Sequence, residues 1–284
     1  MSKKIGIVGR GFVGSAVEFG FSPNTGCDAE VRVYDKDPNK SQNTIEEVVN
    51  NSEFIFCSVP TPANADGLIN ISIVDEALSD IDEANNSNPV ILLRSTMTPG
   101  STKSFQDKYP NLNLVFNPEF LTERSAKFDF INQARVILGG DSKNTKRVAN
   151  LFRWRFGQSL PIIETNFETA ELIKYMNNCF LATKVSFMNE MKAVADICGV
   201  DWDVAVDGFV RDGRVGHSHI NVPGHDGKSG FGGSCFPKDI QAMIAFSESI
   251  GFDMSVLKGA WKTNLKVRPE KDWEELKGRA VSED

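Results

Sequence analysis

The cysteines of the sequence lack the spacing of a disulfide framework or a metal site. No C-x-x-C pair occurs among them, which favours a reduced protein over a disulfide scaffold. No apolar run approaches the ~20 residues that a membrane-spanning helix requires. The chain enters an apolar strand at once, without the features of a signal peptide. We therefore expect a cytoplasmic protein. The five cysteines are Cys27, Cys57, Cys179, Cys198 and Cys235.

The sequence also has no excess of basic residues and no basic stripe. It carries 31 Lys and Arg against 38 Asp and Glu, a formal net charge of −7, which argues against a nucleic-acid partner. Internal repeats and low-complexity segments are absent as well. A length of 284 residues with 40% hydrophobic residues is sufficient for two globular domains.

Short β-branched runs alternate with helical stretches in the first half of the chain. Their nearly continuous apolar character predicts a parallel sheet covered by helices on both faces. The six candidate strands are 5–8, 31–34, 54–59, 90–93, 114–116 and 136–138. From about residue 165 to residue 199 apolar residues recur at helical spacing without an intervening Pro or Gly, which predicts one long helix. A loop (about 208–234), a helix (about 237–250) and a charged, helical tail from residue 261 follow.

These features predict an α/β fold, with a Rossmann-like doubly wound sheet followed by a helical domain. We expect residues 1–164 to form a dinucleotide-binding domain. Residues 165–284 are expected to form a helical central domain that mediates dimerisation.

A glycine-rich motif, Gly9-Arg10-Gly11-Phe12-Val13-Gly14, follows the first strand and opens a helix. In such a motif the first glycine permits a tight turn and the second lets the backbone approach a pyrophosphate. The third allows the helix to pack on the strand. Asp35, just after the second strand, is suited to bind the ribose hydroxyls of NAD and to repel the extra phosphate of NADP. A glycine turn in an unrelated α/β protein is the alternative.

A single cysteine, Cys235, lies between a glycine-rich loop and a predicted helix. Pro237 suits the first helical turn, and the residue before it, Phe236, is expected to be extended. The start of a helix and the nearby Lys238 both favour a thiolate. A buried hydrophobic role is the usual alternative for a lone cysteine, and it suffices for Cys57, Cys179 and Cys198.

Polar residues recur on one face of the predicted long helix: Glu171, Lys174 and Asn178. The simplest explanation is that these residues form a solvent-exposed polar face of the helix. Further polar residues follow predicted strands, where ligands of open α/β sheets bind. These residues are Thr61, Thr96 and Glu119.

Together these motifs resemble the UDP-glucose 6-dehydrogenase family, the nucleotide-sugar dehydrogenases that include the GDP-mannose enzymes. The resemblance extends from residue 3 to about residue 260. It rests on Gly9 to Gly14, Val59-Pro60-Thr61-Pro62, Ser95-Thr96, Asn117-Pro118-Glu119-Phe120-Leu121, Ala170-Glu171-Leu172-Ile173-Lys174-Tyr175 with Asn178, Ser186-Phe187-Met188-Asn189-Glu190, and Gly230 to Asp239.

The resemblance implies an NAD-dependent four-electron oxidation of a sugar C6 alcohol to a carboxylate, in nucleotide-sugar metabolism that supplies polysaccharide biosynthesis. Cys235 would form a thiohemiacetal and then a thioester, and Glu119 with Thr96 would direct its hydrolysis. Lys174, Asn178 and Asp239 would surround the reacting oxygen. The implied cofactor-binding residues are Gly9, Gly11, Phe12, Val13, Gly14, Asp35, Pro60, Thr61, Thr96 and Glu123. The implied substrate-binding residues are Phe120, Leu121, Lys174, Asn178, Arg214, Phe231 and Gly232.

The sequence departs from the family pattern in three places. Arg94 stands where a lysine is common. The loop after Arg214 carries three histidines (His217, His219 and His225), for which a zinc site is the less favoured interpretation. Nothing after residue 260 resembles the family's C-terminal domain, so we expect a short member whose diphosphate contacts come from loop and tail cations. The candidates are Arg214 from a partner subunit, Lys228 and the histidines of the loop, and Lys262, Lys266 and Arg268 of the tail.

We expect UDP-glucose as substrate, no resident metal, and a homodimer joined through the long helix in which Arg214 reaches the other subunit's substrate. A GDP-mannose or other sugar-nucleotide dehydrogenase is the nearest alternative. A non-catalytic NAD-binding paralogue is the other.

Overall fold

A computed structural model describes residues 2–283 of the chain and contains a seven-stranded sheet. The order of the strands across the sheet is β2-β1-β3-β4-β5-β6-β7. The strands are β1 (Lys4–Val8), β2 (Glu30–Tyr34), β3 (Phe54–Cys57), β4 (Val90–Leu93), β5 (Asn113–Phe116), β6 (Val136–Gly140) and β7 (Ile162–Thr165).

The six predicted strands all form, and β1 to β5 run parallel as expected. Two details differ from the prediction. β6 runs antiparallel to β5, so the sheet is mixed. β7 was not predicted, because this four-residue edge strand is only partly buried and lacks the continuous apolar run of the central strands.

Helices cover both faces of the sheet, which makes the first part of the chain a doubly wound α/β unit. Alternate residues of β3 divide between the two faces: Ile55 packs in one buried cluster and Phe56 in the other. The flanking helices are α1 (Phe12–Gly20), α2 (Ile45–Asn50), α3 (Ser72–Ala84), α4 (Ser101–Lys108), α5 (Ala126–Ile131) and α6 (Ser142–Phe156).

The long helix is α7 (Phe167–Cys198), with 32 residues, as the lack of Gly and Pro predicted. By compactness the chain divides within this helix. The first unit comprises residues 1–61 and 71–174, and the second comprises 62–70 and 175–284. The division expected from sequence, between residues 164 and 165, precedes this point and stays a prediction.

The second unit is helical, with α8 (Trp202–Val210), α9 (Cys235–Ser249) and α10 (Ser255–Val267). The prediction of a helical tail is wrong beyond Val267. After one 3₁₀ turn (Asp272–Glu275) the chain forms an isolated bridge with the 62–70 segment, between Val281 and Ala63. Among the described helices, none combines the length and apolarity needed to cross a bilayer.

Candidate active site

The glycine motif forms a turn between β1 and α1 whose three glycines differ in backbone conformation and steric surroundings. Gly9 adopts φ +89°, which favours glycine. A Cβ on Gly14 would lie 2.0 Å from the carbonyl oxygen of Gly9, so helix and turn pack directly together. A Cβ on Gly11 would meet nothing within 4 Å. Gly11 is the N-cap of α1 and supplies no side-chain cap, which leaves the first helical N–H groups to an anion.

Asp35 follows β2 and faces the same turn. Its Oδ2 accepts the backbone N–H of Arg10 at 2.6 Å, and its Oδ1 accepts that of Asp37 at 2.8 Å. A carboxylate beside an uncapped helix N-terminus fits the ribose and pyrophosphate of a dinucleotide. Phe12 and Val13, in the first turn of α1, are half-buried.

The remaining cofactor candidates follow strands β3, β4 and β5. Thr61 and Thr96 are buried, and the hydroxyl of Ser95 donates to the carbonyl of Val59 at 2.6 Å, which joins the ends of β3 and β4. Pro60 and Glu123 are exposed. Because β3 to β5 are parallel, these residues all follow the carboxyl ends of strands on the same side of the sheet.

A buried ion pair joins Glu119 to Lys174 of α7. The Lys174 ammonium contacts Glu119 Oε1 at 2.8 Å and the Glu119 carbonyl oxygen at 2.5 Å. Glu119 Oε2 accepts the N–H of Leu121 at 2.7 Å. The ring of the half-buried Phe120 lies 5.4 Å from the Lys174 ammonium, at cation–π distance. Both charges are therefore held in one arrangement.

The predicted polar face of α7 is not a solvated stripe. Glu171, Lys174 and Asn178 expose only 0%, 2% and 5% of their surface. Glu171 accepts the N–H of Gly100 at 2.7 Å, and it accepts the N–H and hydroxyl of Thr102 at 2.8 and 2.6 Å. The carboxylate thus caps the N-terminus of α4. Burial raises the pKa of Glu171 to about 7, although these donors act in the opposite direction.

Arg94 supports the segment that carries Glu119, a role not recognised from sequence. Its guanidinium donates to Asn117 Oδ1 at 2.5 Å, and Asn117 donates to the carbonyl of Ile137 at 2.9 Å. The rings of Phe56 and Phe130 lie 5.8 and 5.7 Å from the guanidinium carbon. Burial lowers the pKa of Arg94 to about 10, so it stays charged at neutral pH.

Cys235 is the first residue of α9, with Ser234 as the N-cap. The helix therefore begins two residues earlier than predicted, and the expectation of an extended Phe236 is wrong: Phe236 is helical, and Pro237 still lies in the first turn. The N-terminus of a helix favours a thiolate. The Ser234 hydroxyl lies 3.8 Å from the Cys235 sulfur.

One turn further along α9, Asp239 forms a buried polar cluster. Its Oδ2 accepts Asn178 Nδ2 at 2.6 Å, and its Oδ1 accepts the Lys238 ammonium at 2.5 Å. Lys238 thus pairs with Asp239.

The other cysteines differ in burial. Burial raises the pKa of Cys57 to about 12 and also raises that of Cys179, as expected for inert core thiols. The prediction of a buried Cys198 is wrong, because this residue is exposed at the last position of α7.

The substrate candidates of the second unit lie in two loops. Phe231 is buried and Gly232 is half-buried, just before α9. Arg214 is exposed and pairs with Asp212 at 2.5 Å. Its loop is anchored by the Lys184 ammonium, which donates to the carbonyls of residues 215, 216 and 218 at 3.1, 3.0 and 2.6 Å.

The three loop histidines are all exposed. Within residues 2–283 no cluster of three or more His, Cys, Asp or Glu residues is arranged to hold a metal ion. The proposal of Arg268 as a diphosphate contact is wrong, because its side chain is buried between Asp226 and Asp272.

This chain, which combines a glycine-rich turn between β1 and α1 with a cysteine at the start of a helix, matches a known protein family. Residues 33–154 match the NAD-binding domain of the UDP-glucose/GDP-mannose dehydrogenase family, and residues 168–266 match its central domain. The two matches together cover well over half of the chain. The chain belongs to this family.

Curated members of the UDP-glucose/GDP-mannose dehydrogenase family are similar over most of the chain. UDP-glucose 6-dehydrogenase TuaD of Bacillus subtilis is 34% identical over 234 residues, 80% of this chain and 49% of its own length. A UDP-glucose 6-dehydrogenase of Rickettsia felis is 34% identical over 81% of this chain and 51% of its own length. The chain thus spans about half the length of the curated relatives it matches.

A solved family structure shares the fold. The UDP-glucose dehydrogenase of Pyrobaculum islandicum superimposes with a TM-score of 0.83 at 26% identity, over 94% of this chain and 68% of that one. The family assignment makes NAD the cofactor of the first unit, in agreement with the open Gly11 turn and Asp35.

Proposed function

We propose that the protein is an NAD-dependent nucleotide-sugar dehydrogenase that oxidises the C6 alcohol of UDP-glucose to a carboxylate through a thioester on Cys235. The observation that carries the proposal is the position of Cys235 at the start of α9, one turn before Asp239, which accepts a hydrogen bond from Asn178 of α7. α7 carries Asn178 and, one turn earlier, Lys174 with its bond to Glu119. A thiolate, an amide, an ammonium and two carboxylates form the set that this chemistry requires.

Two NAD⁺ molecules, bound in succession, would each accept one hydride, one in each of the two oxidation steps. In the first step the alcohol proton passes to Asp239, while Asn178 and Lys174 donate hydrogen bonds to the oxygen. The Cys235 thiolate then adds to the aldehyde carbon, and the oxygen takes up a proton to give a thiohemiacetal. Loss of that proton and of the second hydride leaves the thioester. Water cleaves the C–S bond, which releases the carboxylate and restores the thiol.

The Lys174–Glu119 pair gives this sequence an internal order. While the ammonium contacts Glu119 Oε1, that carboxylate oxygen is occupied. When Lys174 turns to a negatively charged reacting oxygen, the oxygen of Glu119 becomes available to water. Glu119 is then suited to remove a proton from the water that attacks the thioester, with Thr96 orienting that water.

We also propose that the working form is a homodimer joined through α7. Its exposed side chains include a line of apolar residues spaced three, four or seven positions apart, the spacing of one helical face. These residues are Leu172, Met176, Phe180, Phe187, Met191, Val194 and Ile197. A stripe of this length is typical of a protein–protein contact. Arg214 of one copy would reach the substrate of the other.

The thioester step can be isolated in Glu119→Gln protein. Mixed with NAD⁺ and UDP-glucose, this variant should form NADH in a burst and retain a covalent adduct on Cys235, because hydrolysis lacks its base. Intact-protein mass spectrometry reports the adduct, and a panel with GDP-mannose and other sugar nucleotides identifies the substrate. Cys235→Ser should lose sustained turnover, whereas Cys198→Ser should retain it. A burst without an adduct contradicts the thioester, and no NADH with any sugar nucleotide in the wild type contradicts the dehydrogenase.

A further inference from the structure

The loop before Cys235 is held by Asn264, a fully buried side chain of α10. Asn264 Oδ1 accepts the N–H of Phe231 at 2.7 Å, and its Nδ2 donates to the carbonyl of Phe231 at 3.0 Å. Asn189 of α7 accepts the neighbouring N–H of Gly230 at 3.1 Å. The N–H groups of residues 230 and 231 and the carbonyl of Phe231 are thus bound by side chains, although the segment belongs to no helix or strand.

One turn after Asn264, Arg268 is buried with only 2% of its surface exposed. Its guanidinium contacts Asp226 at 2.7 Å and Asp272 at 2.7 Å. A third contact, at 3.4 Å, is with the carbonyl oxygen of Ser229. A buried arginine requires such partners, and the paired carboxylates fix the orientation of its planar fork. Arg268 therefore ties the loop before α9 to the segment after α10.

Gly232 lies directly against this guanidinium. A Cβ at Gly232 would have Nη2, Cζ and Nε of Arg268 as its three nearest atoms, at 2.4, 2.6 and 2.7 Å. The backbone of Gly232 does not adopt a positive φ, so the close approach rather than the turn requires glycine here. The loop therefore packs on the planar guanidinium of Arg268, which two carboxylates hold in place.

We propose that Arg268, held by Asp226 and Asp272, is a positioning residue that sets the reactivity of Cys235 through the Gly230–Gly233 loop. Gly232 precedes Cys235 by three residues, so a shift of the loop on the guanidinium displaces the N-cap and the first turn of α9. Arg268 does not react itself. Its consequence for catalysis rests on the proposed function, but its effect on the thiol does not.

The direct test compares two thiols of the same molecule. Cys235 and the exposed Cys198 are alkylated with iodoacetamide across a pH series, and peptide mass spectrometry gives the ratio of their rates. In Arg268→Met protein the ratio of the two alkylation rates should change several-fold at one or more pH values of the series. Arg211→Met is the matched control, because Arg211 is exposed and pairs with Asp207 at 3.0 Å. If Arg268→Met does not fold, Asp272→Asn, which removes one carboxylate and keeps Arg268, is measured instead.

A compensating pair tests the packing itself. Gly232→Ala should slow alkylation of Cys235, and Gly232→Ala combined with Arg268→Lys should recover part of the loss, because lysine lacks the planar fork. A merely structural Arg268 would give additive losses without recovery. Unchanged rate ratios in the soluble Arg268 or Asp272 variant, or purely additive effects in the pair, would overturn the proposal.

The outcomes separate this proposal from the proposed function. If thiol reactivity shifts but the wild type oxidises no sugar nucleotide, the positioning role stands and the dehydrogenase does not. If the wild type is active, Arg268→Met should lower kcat while the NAD dissociation constant stays unchanged. An active enzyme whose Cys235 alkylation and kcat are both insensitive to Arg268 contradicts the positioning role alone.

Discussion

At the scale of single residues, the glycine turn shows how one motif combines packing and ligand binding. Gly14 is required because its neighbour is the carbonyl oxygen of Gly9, whereas Gly11 faces open space. The two positions therefore predict different consequences for the same substitution, although the sequence motif treats them alike.

Gly14→Ala should destabilise the protein by about 3 kcal/mol or more, because a Cβ 2.0 Å from a backbone oxygen forces the helix away from the turn. Gly11→Ala should change the free energy of unfolding by less than about 1 kcal/mol. It should still weaken NAD binding by roughly tenfold or more, since the new methyl group occupies the approach to the first helical N–H groups. Urea denaturation and calorimetric titration with NAD separate the two effects. Equal loss of stability in both variants would contradict this division.

Single buried charged residues also determine the structure around Glu119. Lys174 and Arg94 are both almost inaccessible, and each has a specific oxygen partner. Removing one member of such a pair leaves an uncompensated buried charge, which costs more than the pair contributes. Conservative substitutions at these positions therefore test chemistry better than alanine does.

At the scale of elements, α7 and α4 are connected through Glu171. The carboxylate accepts three hydrogen bonds at the start of α4, one helical turn before Lys174 on α7. Its burial places a titration near neutral pH, at about 7 instead of 4.5. The element contact is therefore sensitive to pH.

The direction in which stability changes with pH follows from the linkage between proton binding and folding. Since the folded pKa of Glu171 is raised, its stabilising contribution is fully present below pH 4.5 and is lost as the pH rises through about 7. The expected change is about 3 kcal/mol. Urea denaturation from pH 5 to 8 should show wild-type stability falling relative to Glu171→Gln. Glu83→Gln, an exposed change in the same unit, should follow the wild type, and parallel pH curves for wild type and Glu171→Gln would contradict the prediction.

At the scale of the whole molecule, the exposed apolar face of α7 predicts self-association. Phe180 exposes 67% of its surface near the middle of this face, and Phe128 on α5 exposes 66% outside it. Phe180→Asp should convert a dimer to a monomer in sedimentation velocity, because a charge in an apolar contact is strongly unfavourable. Phe128→Asp should leave the association state unchanged. A wild-type protein that is monomeric at all concentrations would contradict the dimer.

The proposed shared site can be tested with mixed dimers. Mixing Arg214→Ala with Cys235→Ser subunits should restore some NADH formation, because one site of each mixed dimer then has both residues intact. The same mixture in a Phe180→Asp background should recover nothing. Absence of recovery after demonstrated subunit exchange would exclude a shared site.

The α/β class, the six predicted strands, the long helix and the family follow from the sequence alone, because each depends on local periodicity or on contiguous motifs. The sequence also identified Cys235 and Asp35 as candidates, since their flanking residues carry the signal. It did not reveal β7, because this half-buried edge strand has no continuous or alternating apolar pattern. It also did not reveal the antiparallel direction of β6, which depends on how β6 pairs with β5.

The burial of isolated polar residues depends on the folded structure. Glu171 and Arg268 look like surface charges in the sequence, yet both are buried because partners distant in the chain supply their hydrogen bonds. Phe236 is helical although it precedes a proline, since the first turn of α9 already begins at Cys235. Partners separated by tens of residues leave no local pattern, and for that reason the contacts that hold the Cys235 loop become visible only in the fold.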